Sequence, residues 1–309
     1  MPTLGPSDSI PADARGASIA LGNFDGVHRG HQAVIAAAKA EADALGAKLG
    51  VAVFEPHPRR YFQPDAAPFR IQTPAQRARA LAEFGVKEVF EIGFDAGLAQ
   101  STDREFGERV LHELLGARHV SVGADFRFGR GRMGDAASLT RLGEEFGFGV
   151  TGVAPVGGAD KISSSGVRQA IVAGDMEAAA DLLGRPWAIE GEVERGLARG
   201  RELGVPTANL ALGEYVRPKL GVYAVRVDLG DGVLLPGVAN VGVNPTVGEL
   251  PTPQLEAHLL DFSGDLYGKT IEVELIQFLR EEAKFASIDA LKAQMIQDVI
   301  EARRALIGR

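Results

Sequence analysis

The stretch Ala17-Ser18-Ile19-Ala20-Leu21-Gly22-Asn23-Phe24-Asp25-Gly26-Val27-His28-Arg29-Gly30-His31 decides how the first half of this chain folds. Residues 17–21 are a short apolar run that reads as a strand. Residues 31–45 are alanine-rich with helical spacing of the apolar positions, and Gly46 follows at the place where a helix turns left-handed and stops. The turn between them therefore joins the carboxyl end of a strand to the amino end of a helix. In open parallel sheets ligands bind at that edge. The first turn of a helix also offers unpaired N–H groups and a partial positive charge, which suit phosphate. Gly22, Gly26 and Gly30 allow a ligand to approach the backbone closely. His28 and His31, three apart, share a face of the first turn. The stretch is read as a nucleotide-phosphate site.

Outward from this turn, short apolar runs alternate with amphipathic segments. Strands are predicted at 49–54, 86–92, 118–122 and 149–154, and helices at 75–84, 103–115, 136–146, 164–173 and 175–183. Continuous apolar strands separated by helices imply a parallel sheet covered on both faces. The pattern changes at Gly184-Arg185-Pro186. Residues 187–195, 220–229, 233–243, 254–261 and 270–279 then read as strands with no helix between them, which predicts an antiparallel sheet or closed barrel. An amphipathic helix over about 287–307 ends the chain. The expected division is a first domain over 1–184 and a second over 185–309.

The bulk composition agrees with two domains, since 309 residues exceed the size at which one core usually stops growing. A net charge of −8 argues against a nucleic-acid or membrane-surface binder, so any phosphate chemistry must rest on local groups. With no cysteine, disulfides, thiolate nucleophiles and Cys-type zinc sites are excluded. No stretch approaches the roughly 18 apolar residues of a membrane span, and residues 1–10 lack the apolar core of a secretory signal. The expected location is the cytoplasm. Read on their own, His28 and His31 could also ligate zinc, or could simply sit at a glycine-rich turn.

The whole string from Gly22 to His31 resembles the opening motif of the bacterial bifunctional riboflavin kinase/FAD synthetase family, whose His-x-Gly-His core recurs across nucleotidylyltransferases. The resemblance includes Phe54-Glu55-Pro56-His57-Pro58, Val122-Gly123-Ala124-Asp125-Phe126-Arg127-Phe128-Gly129 and Ile162-Ser163-Ser164-Ser165-Gly166-Val167-Arg168. It implies a Rossmann-like α/β nucleotidylyltransferase domain, then an antiparallel β-barrel riboflavin kinase domain with a C-terminal helix. Transfer of an adenylyl group is mostly a matter of positioning and charge neutralisation. The resemblance makes His28 and His31 donors to the ATP phosphates, with Gly22, Asn23, Phe24, Asp25 and Gly30 forming the cradle. Ser164 and Arg168 would hold the departing β- and γ-phosphates, Arg168 through its planar fork. Asp125 would accept from the ribose or the flavin ring. Phe62, Phe106 and Phe128 are candidates to stack on the isoalloxazine, with Phe106 spaced like a buried helix face. Family members often carry Asp where Glu55 stands.

In the second half, Gly196-Leu197-Ala198-Arg199-Gly200-Arg201-Glu202-Leu203-Gly204-Val205-Pro206-Thr207-Ala208-Asn209 is too long for a hairpin turn, and such loops are usually functional. It resembles the riboflavin kinase signature. The Thr207 hydroxyl and Asn209 carbonyl are hard oxygen ligands suited to Mg2+ shared with phosphates, and Gly200 would turn backbone N–H groups to the nucleotide. Arg199 and Arg201 read equally well as a solvated basic loop. Glu256 lies on a predicted strand among apolar neighbours and is expected to face the barrel interior. There an acidic group needs a task or a partner. The resemblance makes it the base for the riboflavin 5′-hydroxyl. Asn240 would shape the flavin pocket, and Arg280 could contact phosphate or flavin or join a surface ion pair.

The expected activity is two-fold, with ATP a substrate in both steps and riboflavin and FMN the flavin substrates. Two other readings stay open at this stage. The first motif also fits adenylyltransferases acting on pantetheine phosphate or nicotinate mononucleotide. The second half could be a barrel used for binding or assembly alone.

Overall fold

A computed structural model describes residues 3–4, 10–157, 161–195, 207–244 and 252–307. The chain folds into two compact units, one of 1–67 with 74–163 and one of 68–73 with 164–309.

The first unit is a six-stranded, wholly parallel sheet of β1 (Thr3–Leu4), β2 (Ser18–Leu21), β3 (Leu49–Glu55), β4 (Glu88–Gly93), β5 (His119–Gly123) and β6 (Gly149–Val153), in the order β1-β4-β3-β2-β5-β6. The chain runs outward from β2 through β3 to β4, then returns to lay β5 on the other side of β2. That reversal places a crevice at the carboxyl end of β2, the position of the opening motif. Helix α1 (Arg29–Leu45) buries Val34, Ile35, Ala38 and Ala42 at helical spacing, and Gly46 closes it at φ 58°. Further along come α2 (Pro58–Phe62), α3 (Pro74–Glu83), α4 (Ala96–Gln100), α5 (Asp103–Phe106) and α6 (Ala136–Phe146). The helix expected over 103–115 starts from a Thr102–Glu105 capping box as α5, then widens into a π-wound stretch over Gly107–Leu114.

One buried group of this sheet links packing to pH. The His119 ring is 5% exposed; its Nε2 meets Thr151 Oγ1 at 3.1 Å, and its Nδ1 is buried with no hydrogen-bond partner among the described residues. Burial pushes its pKa below the ordinary histidine value. Below about pH 6.5 the unfolded chain then binds a proton that the folded chain resists, so stability falls as the solution is acidified. The thermal midpoint should drop less between pH 7.5 and 5.5 in His119→Gln than in the parent chain. Equal drops would show that another group sets the acid limb.

The second unit contains α7 (Ser164–Ala173), α8 (Met176–Leu183) and six antiparallel strands: β7 (Trp187–Glu192), β8 (Ala208–Ala211), β9 (Gly221–Asp228), β10 (Leu234–Asn244), β11 (Thr252–Leu259) and β12 (Thr270–Arg280). They are ordered β7-β12-β9-β10-β11-β8, and Glu194 N–H donates to Asn209 O at 2.9 Å across the open seam. The result is a nearly closed barrel. Its interior holds alternate residues such as Ile189, Tyr223, Val225, Leu255, Ala257 and Val273, and the apolar faces of α7 and α8 (Val167, Ile171, Met176, Ala179, Leu183) join the same core. Trp187 is fully buried there with its indole N–H on Ile71 O at 2.7 Å. This shared core is why the packing boundary falls at 163/164, ahead of the 184/185 junction expected from the change of pattern. The terminal helix α9 (Ile288–Leu306) packs over the outer faces of β9, β10 and β12.

Candidate functional site

The turn after β2 is built under strain. Phe24 (φ 51°) and Val27 (φ 44°) occupy the left-handed region, which a β-branched residue rarely enters, and Gly26 joins them at φ 93°. Such a backbone persists only where its surroundings fix it. Phe24 and Val27 are wholly buried, and Asp25 and His28 are each 5% exposed. His28 is the N-cap of α1, not a member of its first turn: its Nδ1 accepts the His31 backbone N–H at 3.2 Å. The neutral ring is therefore protonated on Nε2, which remains a donor. The two imidazoles stack with centroids 3.6 Å apart and planes 14° from parallel. Gly30 is required by closeness, since a Cβ there would stand 3.1 Å from the His28 ring and from Ile162 O. Asn23 Oδ1 is buried with no hydrogen-bond partner among the described residues, an acceptor at the head of the loop.

Arg77 was not legible as a site residue. It sits on the buried face of α3, 3% exposed, donating to Glu55 at 3.0 Å, to Glu91 at 3.2 Å and, at 3.5 Å, to the Asn23 carbonyl. A cation this buried needs its carboxylates. It ties the ends of β3 and β4 to the loop after β2, and it gives Glu55 a structural task. The clue in the sequence was an arginine at a core-facing helical position.

The aromatic candidates separate. Phe62 is 63% exposed and makes edge contacts with Tyr61 and Phe94, leaving ring surface for a ligand. Phe106 and Phe128 are buried in the core against each other, centroids 5.4 Å apart, and Phe128 also stacks on Phe126. The expectation that Phe128 presents a stacking face is corrected: the spacing that brings it near Asp125 also turns it into the sheet core. Asp125 is exposed and paired with Lys161, which holds its carboxyl below the usual carboxylate range.

Ser164 begins α7 and Arg168 lies one turn later, both within the second unit. Arg168 Nε donates to Phe69 O at 2.7 Å, with its guanidinium 5.5 Å from the Phe69 ring centroid.

On the barrel, one row of register partners crosses five strands: Arg280 on β12, Val222 on β9, Asn240 on β10, Glu256 on β11 and Asn209 on β8. Four of these five were singled out from the sequence. The row faces outward, because Leu255, Ala257 and Leu259 fill the interior. The expectation that Glu256 faces the barrel interior is thereby overturned. Its carboxylate instead lines a cavity of about 620 Å3 between the barrel wall and α9, together with Thr207, Asn240, Arg280 and the unforeseen His258 and Glu282. His258 lies two residues beyond Glu256 and so shares its face. Glu282 Oε1 accepts from Asn240 Nδ2 at 3.2 Å. Asn209 is 7% exposed and two residues beyond Thr207, next to Glu256 across the strand pair. Arg280 is not free to meet a ligand: its Nε and Nη2 each donate to Asp298 at 2.7 Å. That carboxylate holds the guanidinium pKa above its ordinary value. Gly200, with Arg199 and Arg201, lies outside the described residues. Among the described residues, no group of three or more His, Asp or Glu side chains is arranged to hold a metal, and no helix is long and apolar enough to cross a membrane.

A strained, glycine-rich loop at the head of a helix on a parallel sheet, and a carboxylate with hard oxygen donors beside a cavity on a barrel, are the two candidate sites of a two-module transferase. The FAD synthetase family profile matches residues 10–166, and the riboflavin kinase profile matches residues 183–306. A bifunctional riboflavin kinase/FMN adenylyltransferase of Pseudomonas fluorescens is 45% identical over 96% of this chain and 94% of its own length. Its counterpart of Escherichia coli strain K12 is 44% identical over 94% and 93%. The crystal structure of a macrolide-efflux protein from Streptococcus pneumoniae superposes with a TM-score of 0.85 at 32% identity, covering 97% of this chain and 98% of that one. The chain belongs to the bifunctional riboflavin kinase/FMN adenylyltransferase family, with the adenylyltransferase module first and the kinase module second.

Proposed function

We propose that the two modules act in sequence on one flavin, the kinase module converting riboflavin to FMN and the adenylyltransferase module converting FMN to FAD and pyrophosphate, each with ATP. The observation that carries this reading is that Asn240 and Glu256, register partners on neighbouring strands, line with Thr207 a cavity of about 620 Å3, in the range of small-molecule sites. In the kinase step Glu256 takes the proton of the riboflavin 5′-hydroxyl as that oxygen attacks the γ-phosphorus of ATP; the bond from the γ-phosphorus to the β,γ-bridging oxygen breaks and ADP leaves, with Asn240 helping to hold the flavin. Magnesium fits the donor set. Thr207 Oγ1 and Asn209 Oδ1 are hard oxygens two residues apart, and a pair of protein ligands suits an ion bound largely through phosphates. When bound, it neutralises phosphate charge.

In the adenylyl step a phosphate oxygen of FMN attacks the α-phosphorus of ATP, and pyrophosphate leaves. His28 Nε2 and His31 donate to the phosphates in a loop whose backbone from Gly22 to Asp25, with Gly30, is already placed. Phe62 offers the flavin a face, and Asp125 an acceptor. The roles of Ser164 and Arg168 toward the leaving phosphates rest on the family resemblance, as does that of Gly200. In this reading the functional boundary lies at 184/185, the substrates are small molecules rather than nucleic acid or membrane, and the working compartment is the cytoplasm, where ATP is supplied.

Incubating the chain with riboflavin and Mg-ATP should yield FMN first and FAD after it. Thr207→Ala should block FMN formation yet still make FAD from added FMN. Absence of FMN from the parent chain's reaction would refute the reading.

A further inference from the structure

Helix α9 is 19 residues long, yet it buries only Asp298 and Ala302. A surface helix is normally held by an apolar stripe pressed on the core. Here the apolar residues Leu291, Met295, Ile296, Val299 and Ile300 line the cavity instead, and Ile296 and Ile300 remain 64% and 40% exposed. Something other than apolar packing must set the distance between this helix and the barrel wall. Asp298, 3% exposed, receives both prongs of Arg280 at 2.7 Å and the Gln294 amide at 2.9 Å. Arg280 stands at the end of β12, in the same row as Glu256, and its Nη1 also donates to Glu281 O at 2.9 Å. The ion pair of the helix with Asp261, made by Arg303, is exposed on both sides and contributes little.

We propose that Arg280 and Asp298 are a positioning pair that fixes α9 as the far wall of the flavin cavity, so that their bidentate contact sets how tightly the isoalloxazine is held without touching the reacting atoms. The inference rests on the reading of this cavity as the riboflavin site. A bidentate guanidinium–carboxylate contact is rigid in distance and angle, which a single hydrogen bond or an ammonium would not match. Flavin entering the cavity then covers the apolar residues of α9 that the barrel leaves open.

The test is steady-state phosphorylation of riboflavin by the full chain with Mg-ATP, together with a titration that follows quenching of riboflavin fluorescence. Asp298→Asn should raise KM for riboflavin at least about tenfold with kcat within about twofold, and the dissociation constant should rise in parallel. Arg280→Lys, which keeps the charge and loses the fork, should fall between. Riboflavin KM and affinity unchanged in Asp298→Asn overturn the proposal. Should Asp298→Asn lose kcat altogether, Arg280→Lys decides: a raised KM with kcat retained supports the pair, and an unchanged KM or a lost kcat makes it merely structural and overturns it. An unsubstituted chain that neither binds nor phosphorylates riboflavin overturns the reading of the cavity itself, an outcome distinguishable because it appears before any substitution.

Discussion

His28→Asn should lower the rate of FAD formation from FMN by a factor on the order of 100 or more, the usual effect of removing one positioned donor to developing charge. Asparagine is the informative choice. Its side-chain oxygen can still accept the His31 N–H, so α1 keeps the N-cap that His28 Nδ1 provides. What it lacks is a donor at the place of Nε2. His28→Ala removes both and should add about 1 kcal/mol of lost helix stability to the same catalytic defect. His31→Ala should match His28→Asn in direction, because the stacked rings act on one site. Pyrophosphate release with FMN and Mg-ATP measures the step, and FMN formation from riboflavin serves as the control. A His28→Asn chain with parental pyrophosphate release would remove the histidine from the mechanism. Parallel loss of both activities in a folded variant would deny that the two sites are separate.

Glu256→Gln should reduce FMN formation by about 100-fold to 10,000-fold, the span attributed to a general base, and leave FAD formation from added FMN as it was. The substitution keeps size and hydrogen-bonding shape, and the position is on the outward face of β11, so the interior packing of Leu255 and Ala257 is untouched. The loss should therefore appear in kcat, with the thermal midpoint little changed. Riboflavin phosphorylation within about threefold of the parent rate would mean that another group takes the proton, and His258, on the same face, would be the next to substitute.

Much of this was legible because local pattern and tertiary packing agree. The first helix ends at Gly46 as its sequence requires, and the strand–turn–helix around Gly22 to His31 stands where a parallel sheet leaves a crevice. The short strand β8 was not legible, since its four residues follow a glycine-rich segment and carry no periodicity of their own; only pairing with β11 makes it a strand. Phe128 reads wrongly for a related reason. A phenylalanine after a strand looks the same in sequence whether its ring faces solvent or a core, and the decision belongs to Phe106 and Phe126.

Sequence by itself determined the two-module order, the parallel and antiparallel halves, and the residue types at both sites. These follow from periodicity, chain breakers and chemically distinctive strings. Tertiary structure alone decided which way those residues point. The strand period of two places Glu256 on one of two faces, and the register with β8 and β10, rather than any neighbour in sequence, makes that face the wall of a cavity. Likewise Arg280 reads as a cation available to a phosphate until α9 brings Asp298 to it from 18 residues away. Long-range pairing spends the donors that a sequence displays as free, which is why Arg280 became a strut and Arg77, unremarked in the sequence, holds the loop at Asn23.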